Sequence, residues 1–192
     1  MTERQTHPAV LPLITQRWSP RAFDGSEIPM ADLEAIFTAA GLAPSAYNVQ
    51  PWTFVYARRG DENWDKLLGL LIEFNQSWAK DASALVFVVS DTLSAGPDGE
   101  RKPNYSHSFD AGSAWAMMAL QALHMGYYTH GMVGLDFDRA VQELGIPEDH
   151  RIEAAIAIGK MGDKSALPEF LQEREIVSDR KPVGEIMRAG KF

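Results

Sequence analysis

The seven residues Ala84–Ser90, reading Ala-Leu-Val-Phe-Val-Val-Ser, constrain the fold more than any other segment. The first six are apolar, rich in β-branched and aromatic types, and lack the polar alternation of a strand with one wet face. A strand apolar on both faces must be covered on both, so the segment predicts the central strand of a layered fold. The run is far shorter than the ~20 residues that a membrane-spanning helix requires. A second segment, Phe109–Met125, carries Ala111, Ala114, Trp115, Met118, Ala119, Ala122 and Leu123. It is apolar almost all round and predicts a buried central helix, stopped by Gly126.

Around these two segments the remaining elements follow from periodicity and punctuation. A short helix is expected over Ala9–Arg17, capped by Thr6 or His7 with Pro8 near its first position, and ended by Trp18-Ser19-Pro20. Leu33, Ile36, Phe37 and Ala40 have the spacing of one buried helical face, with Gly41 and Pro44 closing it. Trp52–Ala57 reads as a strand, Arg58–Asp61 as a turn and Asn63–Phe74 as a helix. Asp91–Asn104 reads as a loop, with Gly96-Pro97-Asp98-Gly99 inside it. Then come a short strand over Tyr127–Gly131, a helix over Asp136–Leu144 and a strong strand over Ile152–Gly159. From Gly162 on the chain is more charged but keeps apolar clusters at Phe170, Leu171, Ile176, Val177, Ile186 and Met187, as suits an arm lying on another surface. Helices and strands do not alternate as in a doubly wound sheet. The class expected is α+β, a small, mostly antiparallel sheet surrounded by helices, with one helix buried at the centre. The 192 residues favour one domain, 1–192, with 162–192 as its C-terminal arm.

Composition excludes several classes of function. Apolar residues make up 45% and charged residues 23%, as in folded globular chains rather than disordered ones. The net charge of −8 argues against general nucleic-acid binding, because the chain would repel a phosphate backbone. With no cysteine there is no disulfide framework and no thiolate chemistry. The opening Met-Thr-Glu-Arg-Gln-Thr-His-Pro-Ala-Val lacks the basic start and apolar stretch of a secretory signal, so a cytoplasmic location is expected. His7, His107, His124, His130 and His150 include no i, i+4 pair, and no metal site is expected. Gly159-Lys160-Met161-Gly162 has two residues where a phosphate loop needs four, and reads as a turn after a strand. Ser106-His107-Ser108-Phe109-Asp110 holds the residue types of a hydrolase triad, but without a nucleophile elbow it reads as the cap of the long helix.

Two stretches carry chemistry that these readings leave over. Arg17-Trp18-Ser19-Pro20-Arg21 places two guanidiniums and a hydroxyl at a helix end, a donor set suited to phosphate oxygens. Taken alone, each arginine could instead pair with an acidic neighbour. Pro44-Ser45-Ala46-Tyr47-Asn48-Val49-Gln50-Pro51-Trp52 concentrates amide and hydroxyl groups between two prolines, immediately before a strand. Turn chemistry explains the prolines and Asn48, but not the number of polar groups.

Together the two stretches resemble the nitroreductase family of FMN-dependent oxidoreductases. Arg17, Ser19, Arg21 and Phe23 match its R-x-S-x-R-x-F pattern, and Ala43 to Trp52 match A-P-S-x-x-N-x-Q-P-W. Further along, Phe74-Asn75, Asp81–Ser83, Gly131–Asp136, Ile156–Gly159 and Ser178–Pro182 fall in the family's order. The resemblance implies a nitroreductase-like fold and a homodimer with FMN at the subunit interface. It implies Arg17, Ser19 and Arg21 on the FMN phosphate and ribityl chain, and in some members the pyrimidine edge, and Pro44, Ser45, Ala46 and Asn48 on the partner's flavin. Asn75 is implied at the pyrimidine edge, the backbone of Val133 and Gly134 near N5, and Arg180 closing the phosphate site with Lys181 as substitute. Gln50 and Trp52 are left to shape the turn. No side chain is implied as a catalytic group. The activity implied is ping-pong transfer of hydride or electrons from NADPH or NADH to a small electron-poor acceptor such as a nitroaromatic or quinone. The sequence departs from some members in two places. Ser178 stands where they have a basic residue. Trp78 stands where they have a lysine three residues after the asparagine, so either Lys80 or Arg21 takes over its charge or the redox potential differs. That departure favours an alternative, a flavin-binding protein without turnover serving storage, sensing or protein contact. Dehalogenation or flavin fragmentation would need lid segments for which a chain this short has little space.

Overall fold

The structure is a computed structural model, and it describes residues 6–96 and 99–192. Part of the signal-sequence reading, and Pro97 and Asp98 of the expected loop, fall outside those residues. In chain order the elements are α1 (Pro12–Gln16), α2 (Met30–Gly41), β1 (Trp52–Arg58), α3 (Trp64–Gly69), α4 (Glu73–Ala79), β2 (Ala84–Asp91), β3 (Leu93–Ala95) and β4 (Arg101–Pro103). After them come α5 (His107–His124), β5 (Tyr128–Met132), α6 (Phe137–Leu144), β6 (His150–Gly159), α7 (Glu169–Gln172) and α8 (Val183–Ile186).

Four strands form one antiparallel sheet in the order β1-β2-β6-β5. β2 is interior and buried from Ala84 through Ser90, as its composition requires. Its alternate residues serve two separate cores. Leu85, Phe87 and Val89 pack with Trp64, Leu67, Leu70 and Trp78 from α3, α4 and the residue between them. Ala84, Val86 and Val88 pack with Leu33 and Ile36 of α2 and with Ala114 and Met118 of α5. Helices on both faces are the reason this strand carries no polar alternation.

A β-bulge shapes β6. Val88 faces Ala154 and Val89 faces Ile152, so Glu153 is the extra residue. Its carboxylate Oε1 accepts hydrogen bonds from the Ser90 hydroxyl at 2.6 Å and the Ser108 hydroxyl at 2.7 Å. His107 Nδ1 lies 2.8 Å from the same Ser90 hydroxyl. Glu153 thus fixes the first turn of α5 to the sheet. The polar run Ser106–Asp110 does sit at that helix start. Ser106 spends its hydroxyl on the Asp110 carboxylate, at 2.8 Å, rather than on a backbone amide.

Several boundaries differ from those expected. The first helix begins at Pro12, not Ala9, because a proline does occupy its first position but Pro8 belongs to the preceding turn, closed by Val10 N–H to His7 C=O. The helix expected over 63–74 is two helices. The chain leaves α3 at Gly69 so that Leu71 can pair with Leu135 and bury its side chain. The loop expected over 91–104 contains the hairpin β3-β4. Within one chain α5 buries Asp110, Ala111, Ala114, Met118, Ala119 and Ala122, while Phe109 remains 79% exposed and Met117 38%. Of the residues after Gly162, Leu167 and Leu171 belong to the core, and Ile176, Val183, Ile186 and Met187 are exposed. No helix among the described residues is long and apolar enough to cross a membrane.

Candidate functional site

The stretch Arg17–Phe23 leaves α1 and runs alongside the end of β6. Phe23 pairs with Met161, Asp24 N–H donates to Lys160 C=O, and Gly162 N–H donates to Ala22 C=O. A Cβ at Gly162 would stand 2.6 Å from the Phe23 carbonyl, and one at Gly159 would stand 2.7 Å from the Phe23 ring. Those glycines, which superficially suggest a phosphate loop, are the places where two backbones touch.

Two further residues pin this stretch. His130 on β5 donates its Nδ1–H to the Pro20 carbonyl at 2.9 Å. Glu175, just beyond α7, accepts the amide protons of Arg21 at 2.6 Å and Ala22 at 2.9 Å. Neither stands out in the sequence: His130 is a lone histidine, and Glu175 closes a charged run within the segment expected to be an arm. Burial holds the His130 imidazole at about 4, well below its ordinary range, with the Arg21 and Arg17 charges adding to the effect. It is therefore neutral near pH 7, with its proton on Nδ1.

Arg17 and Ser19 face a cleft of about 580 Å³, and the Arg17 guanidinium donates to the Ser19 hydroxyl at 3.2 Å. Ile14 of α1, Trp115, Ala116, Ala119 and Leu120 of α5, Gly131–Val133, and Ala154 and Ile156 of β6 complete its walls. Gly131 lets the Trp115 indole lie against β5, since a Cβ there would be 3.3 Å from the ring. One wall of the cleft is thus cationic and hydroxylic, and the others are apolar and aromatic.

The other expected residues are distributed as follows. Asn75 is buried and donates its Nδ2–H to the Gly134 carbonyl at 2.8 Å, tying α4 to the loop that follows β5. Val133 of that loop lines the cleft and is exposed. Pro44, Ser45, Ala46 and Asn48 do not line the cleft of their own chain. They lie near the start of α5, where Ala46 N–H donates to Asp110 at 3.2 Å. Their backbone is unusual: Tyr47, Asn48 and Gln50 all have φ between 51 and 57°. Each is a left-handed conformation that costs a non-glycine residue free energy. Gln50 N–H donates to the Ser45 hydroxyl oxygen at 3.0 Å, which leaves the Ser45 hydroxyl proton to donate elsewhere.

Arg21 does not line the cleft either. Its guanidinium lies 3.8 Å from Glu175. Arg180 is exposed and donates to its own neighbours, the Ser178 carbonyl and hydroxyl and the Asp179 carbonyl. Lys181 is exposed too. Trp78, expected at a charge-bearing position beside the flavin, is instead 1% exposed and packed in the core between Phe23 and His130, at ring distances of 6.3 and 4.6 Å. An indole is large and apolar enough to fill that interior position where a charged lysine would not. Lys80, the substitute considered for its charge, pairs with Asp81 at 2.8 Å and is half-exposed. Away from the cleft, Asp91, Asp149 and His150 cluster, but the Arg101 guanidinium bridges both carboxylates and accounts for them as an ion-pair network.

Comparison with known proteins bears on this geometry. The sequence model of the nitroreductase family matches residues 14–77, which span both polar stretches and Asn75. A solved structure described as an oxidoreductase containing FMN is 50% identical and superposes with a TM-score of 0.95, over 98% of this chain and 96% of that one. An uncharacterized 15.4 kDa protein of Mycolicibacterium smegmatis is 36% identical over 64% of this chain and 84% of its own length. The oxygen-insensitive NADPH nitroreductase of Helicobacter pylori is 39% identical over 41% of this chain and 37% of its own length.

Proposed function

The chain belongs to the nitroreductase family, and from that premise we propose that it is an FMN-dependent oxidoreductase drawing on NADPH or NADH. The observation that carries the reading is the juxtaposition of Arg17 and Ser19 on one wall of a cleft whose remaining walls are apolar and aromatic. Such a set fits a ligand with a phosphate at one end and a planar ring at the other. When bound there, FMN supplies reversible two-electron chemistry that amino-acid side chains lack.

The roles of the chain's own residues follow. The fork of Arg17 and the Ser19 hydroxyl bind phosphate oxygens, and the acidic surroundings are offset locally. Trp115, Ile156 and Ala154 exclude water from the ring-bearing end. Asn75 holds the Val133–Gly134 loop against the cleft through its amide N–H and keeps its carbonyl oxygen for a ring N–H. Arg21, on the same loop as Arg17 but held by Glu175, and Arg180, once released from Ser178 and Asp179, would add charge toward the phosphate. Reductant and acceptor use the same open face in turn, which is a ping-pong order.

The proposal includes a homodimer. The exposed apolar side of α5, with Phe109 and Met117, is the surface a second copy covers. That copy brings Pro44, Ser45, Ala46 and Asn48 to its neighbour's cofactor, with Ser45 as hydroxyl donor. The whole chain then acts as one domain, and residues beyond Glu175, with Ile176, Ile186 and Met187 exposed, form the arm that lies on the partner. The activity draws on the cytoplasmic pool of nicotinamide cofactor. The alternative of flavin binding without turnover rests on Trp78, an uncharged side chain packed in the core.

Anaerobic mixing of the purified yellow protein with NADPH or NADH tests the activity. The expected result is rapid bleaching of the flavin band, reversed by a quinone or nitroaromatic. No bleaching with either cofactor would leave a binding protein and refute the enzyme.

A further inference from the structure

Glu175 is a buried carboxylate with a divided task. Its side chain is 4% exposed. Oε1 accepts two backbone amides, from Arg21 and Ala22. Among the described residues Oε2 has no hydrogen-bond partner; it stands 3.8 Å from Nη1 of Arg21, whose own Nε is buried and likewise unpartnered there. A buried carboxylate oxygen left short of a donor is costly. The pair is therefore attracted without closing into the fork that a guanidinium and a carboxylate ordinarily form. Glu175 also belongs to a different part of the chain from the loop it holds, 154 residues away.

We propose that Glu175 is a positioning residue for the anionic ligand of the cleft. Through Oε1 it sets the backbone of the Arg17–Ala22 loop, and through Oε2 it restrains and damps the charge of Arg21. This inference rests on the FMN reading above. The two oxygens then act in opposite directions on affinity: the first helps by preorganising the loop, and the second opposes by holding a cation back from the ligand.

Substitutions separate the two. Glu175→Gln keeps an oxygen for the two amides but removes the negative charge, and is expected to tighten FMN binding about fivefold, as for one partly exposed charge pair. It should also raise the midpoint potential of the bound flavin, because an unrestrained cation favours the reduced, negatively charged ring. Glu175→Ala removes both functions and is expected to weaken binding about tenfold through loss of the two amide bonds. In an Arg21→Gln background the effect of Glu175→Gln should vanish. FMN titration by quenching of flavin fluorescence reads affinity, and equilibration with a reference dye reads the potential. If Glu175→Gln changes neither quantity, weakens binding as alanine does, or has the same effect without Arg21, the proposal is overturned. Should Glu175→Ala fail to fold, the glutamine variant and its Arg21 background still decide. A wild-type protein that binds no FMN overturns this inference and the FMN reading together. Wild-type binding with an unaltered glutamine variant overturns this inference alone.

Discussion

Single residues already make sharp demands on this chain. Burial holds the His130 imidazole down at about 4, with the Arg21 and Arg17 charges adding to the effect and the Nδ1–H bond to the Pro20 carbonyl opposing it. The unfolded chain, titrating near 6.5, takes up a proton first as the pH falls. His130 therefore costs no stability above about pH 6.5, and the folded state loses stability progressively as the pH drops toward about 4. Urea unfolding at pH 7.5 and 4.5 should show a loss of about 2.5 kcal/mol from this group. His130→Asn, whose amide can reproduce the Nδ1 donor, should reduce that loss. An unchanged pH dependence in the variant would assign it to other groups. Gly134 makes a steric demand instead. A Cβ there would lie 2.5 Å from Asn75 Nδ2 and 2.8 Å from Ile72 Cδ1. Gly134→Ala should cost about 1–3 kcal/mol in thermal unfolding, through strain and loss of the Asn75 hydrogen bond, and should weaken FMN retention. The stretch with Arg17 and Ser19 was singled out by residue type, with ion pairing as an open alternative, and the structure sets both residues on the wall of a cleft. Glu175 and His130 were not legible, because their importance comes from backbone groups far away in sequence, which no local pattern reports.

At the scale of elements, the interior strand β2 was the most readable part of the molecule, since helices on both of its faces demand unbroken apolarity. Interruptions were harder to read. A single helix over 63–74 satisfies local propensity, but Leu71 gains more by leaving the helix and pairing with Leu135 in the core. The bulge at Glu153 was equally hidden, because it depends on register against β2 rather than on composition. The long helix α5 shows the reverse problem. Its sequence is apolar all round, yet within one chain only one side is covered, and the other exposes Phe109 and Met117. In the proposed homodimer a second copy covers that surplus apolarity. Met117→Glu should leave the fold intact and shift analytical ultracentrifugation from dimer toward monomer, with loss of bound FMN. A wild-type chain that sediments as a monomer while holding FMN would refute the shared site.

Considered whole, the molecule keeps the residues proposed to hold one ligand on separate parts of the chain. Arg17 and Ser19 follow the first helix, Asn75 of α4 bonds Gly134 in the loop after β5, and the Ser45 loop is bonded to the start of α5 and does not line the cleft of its own chain. The order of these pieces along the sequence was readable, and so was the α+β class. Where each side chain turns was not readable: in a single chain Arg17, Ser19 and Val133 line the cleft, Arg21 lies against Glu175, and Arg180 bonds its own neighbours. The central claim is that the Arg17–Ser19 wall of the cleft holds the phosphate of FMN. Titrating flavin-free protein with FMN, for the wild type and for Arg17→Ala, tests it most directly. The account predicts one FMN per chain, with affinity falling by about ten- to a hundredfold when the guanidinium is removed. Wild-type protein that stays colourless in saturating FMN, or an Arg17→Ala variant that binds as tightly as the wild type, would contradict it.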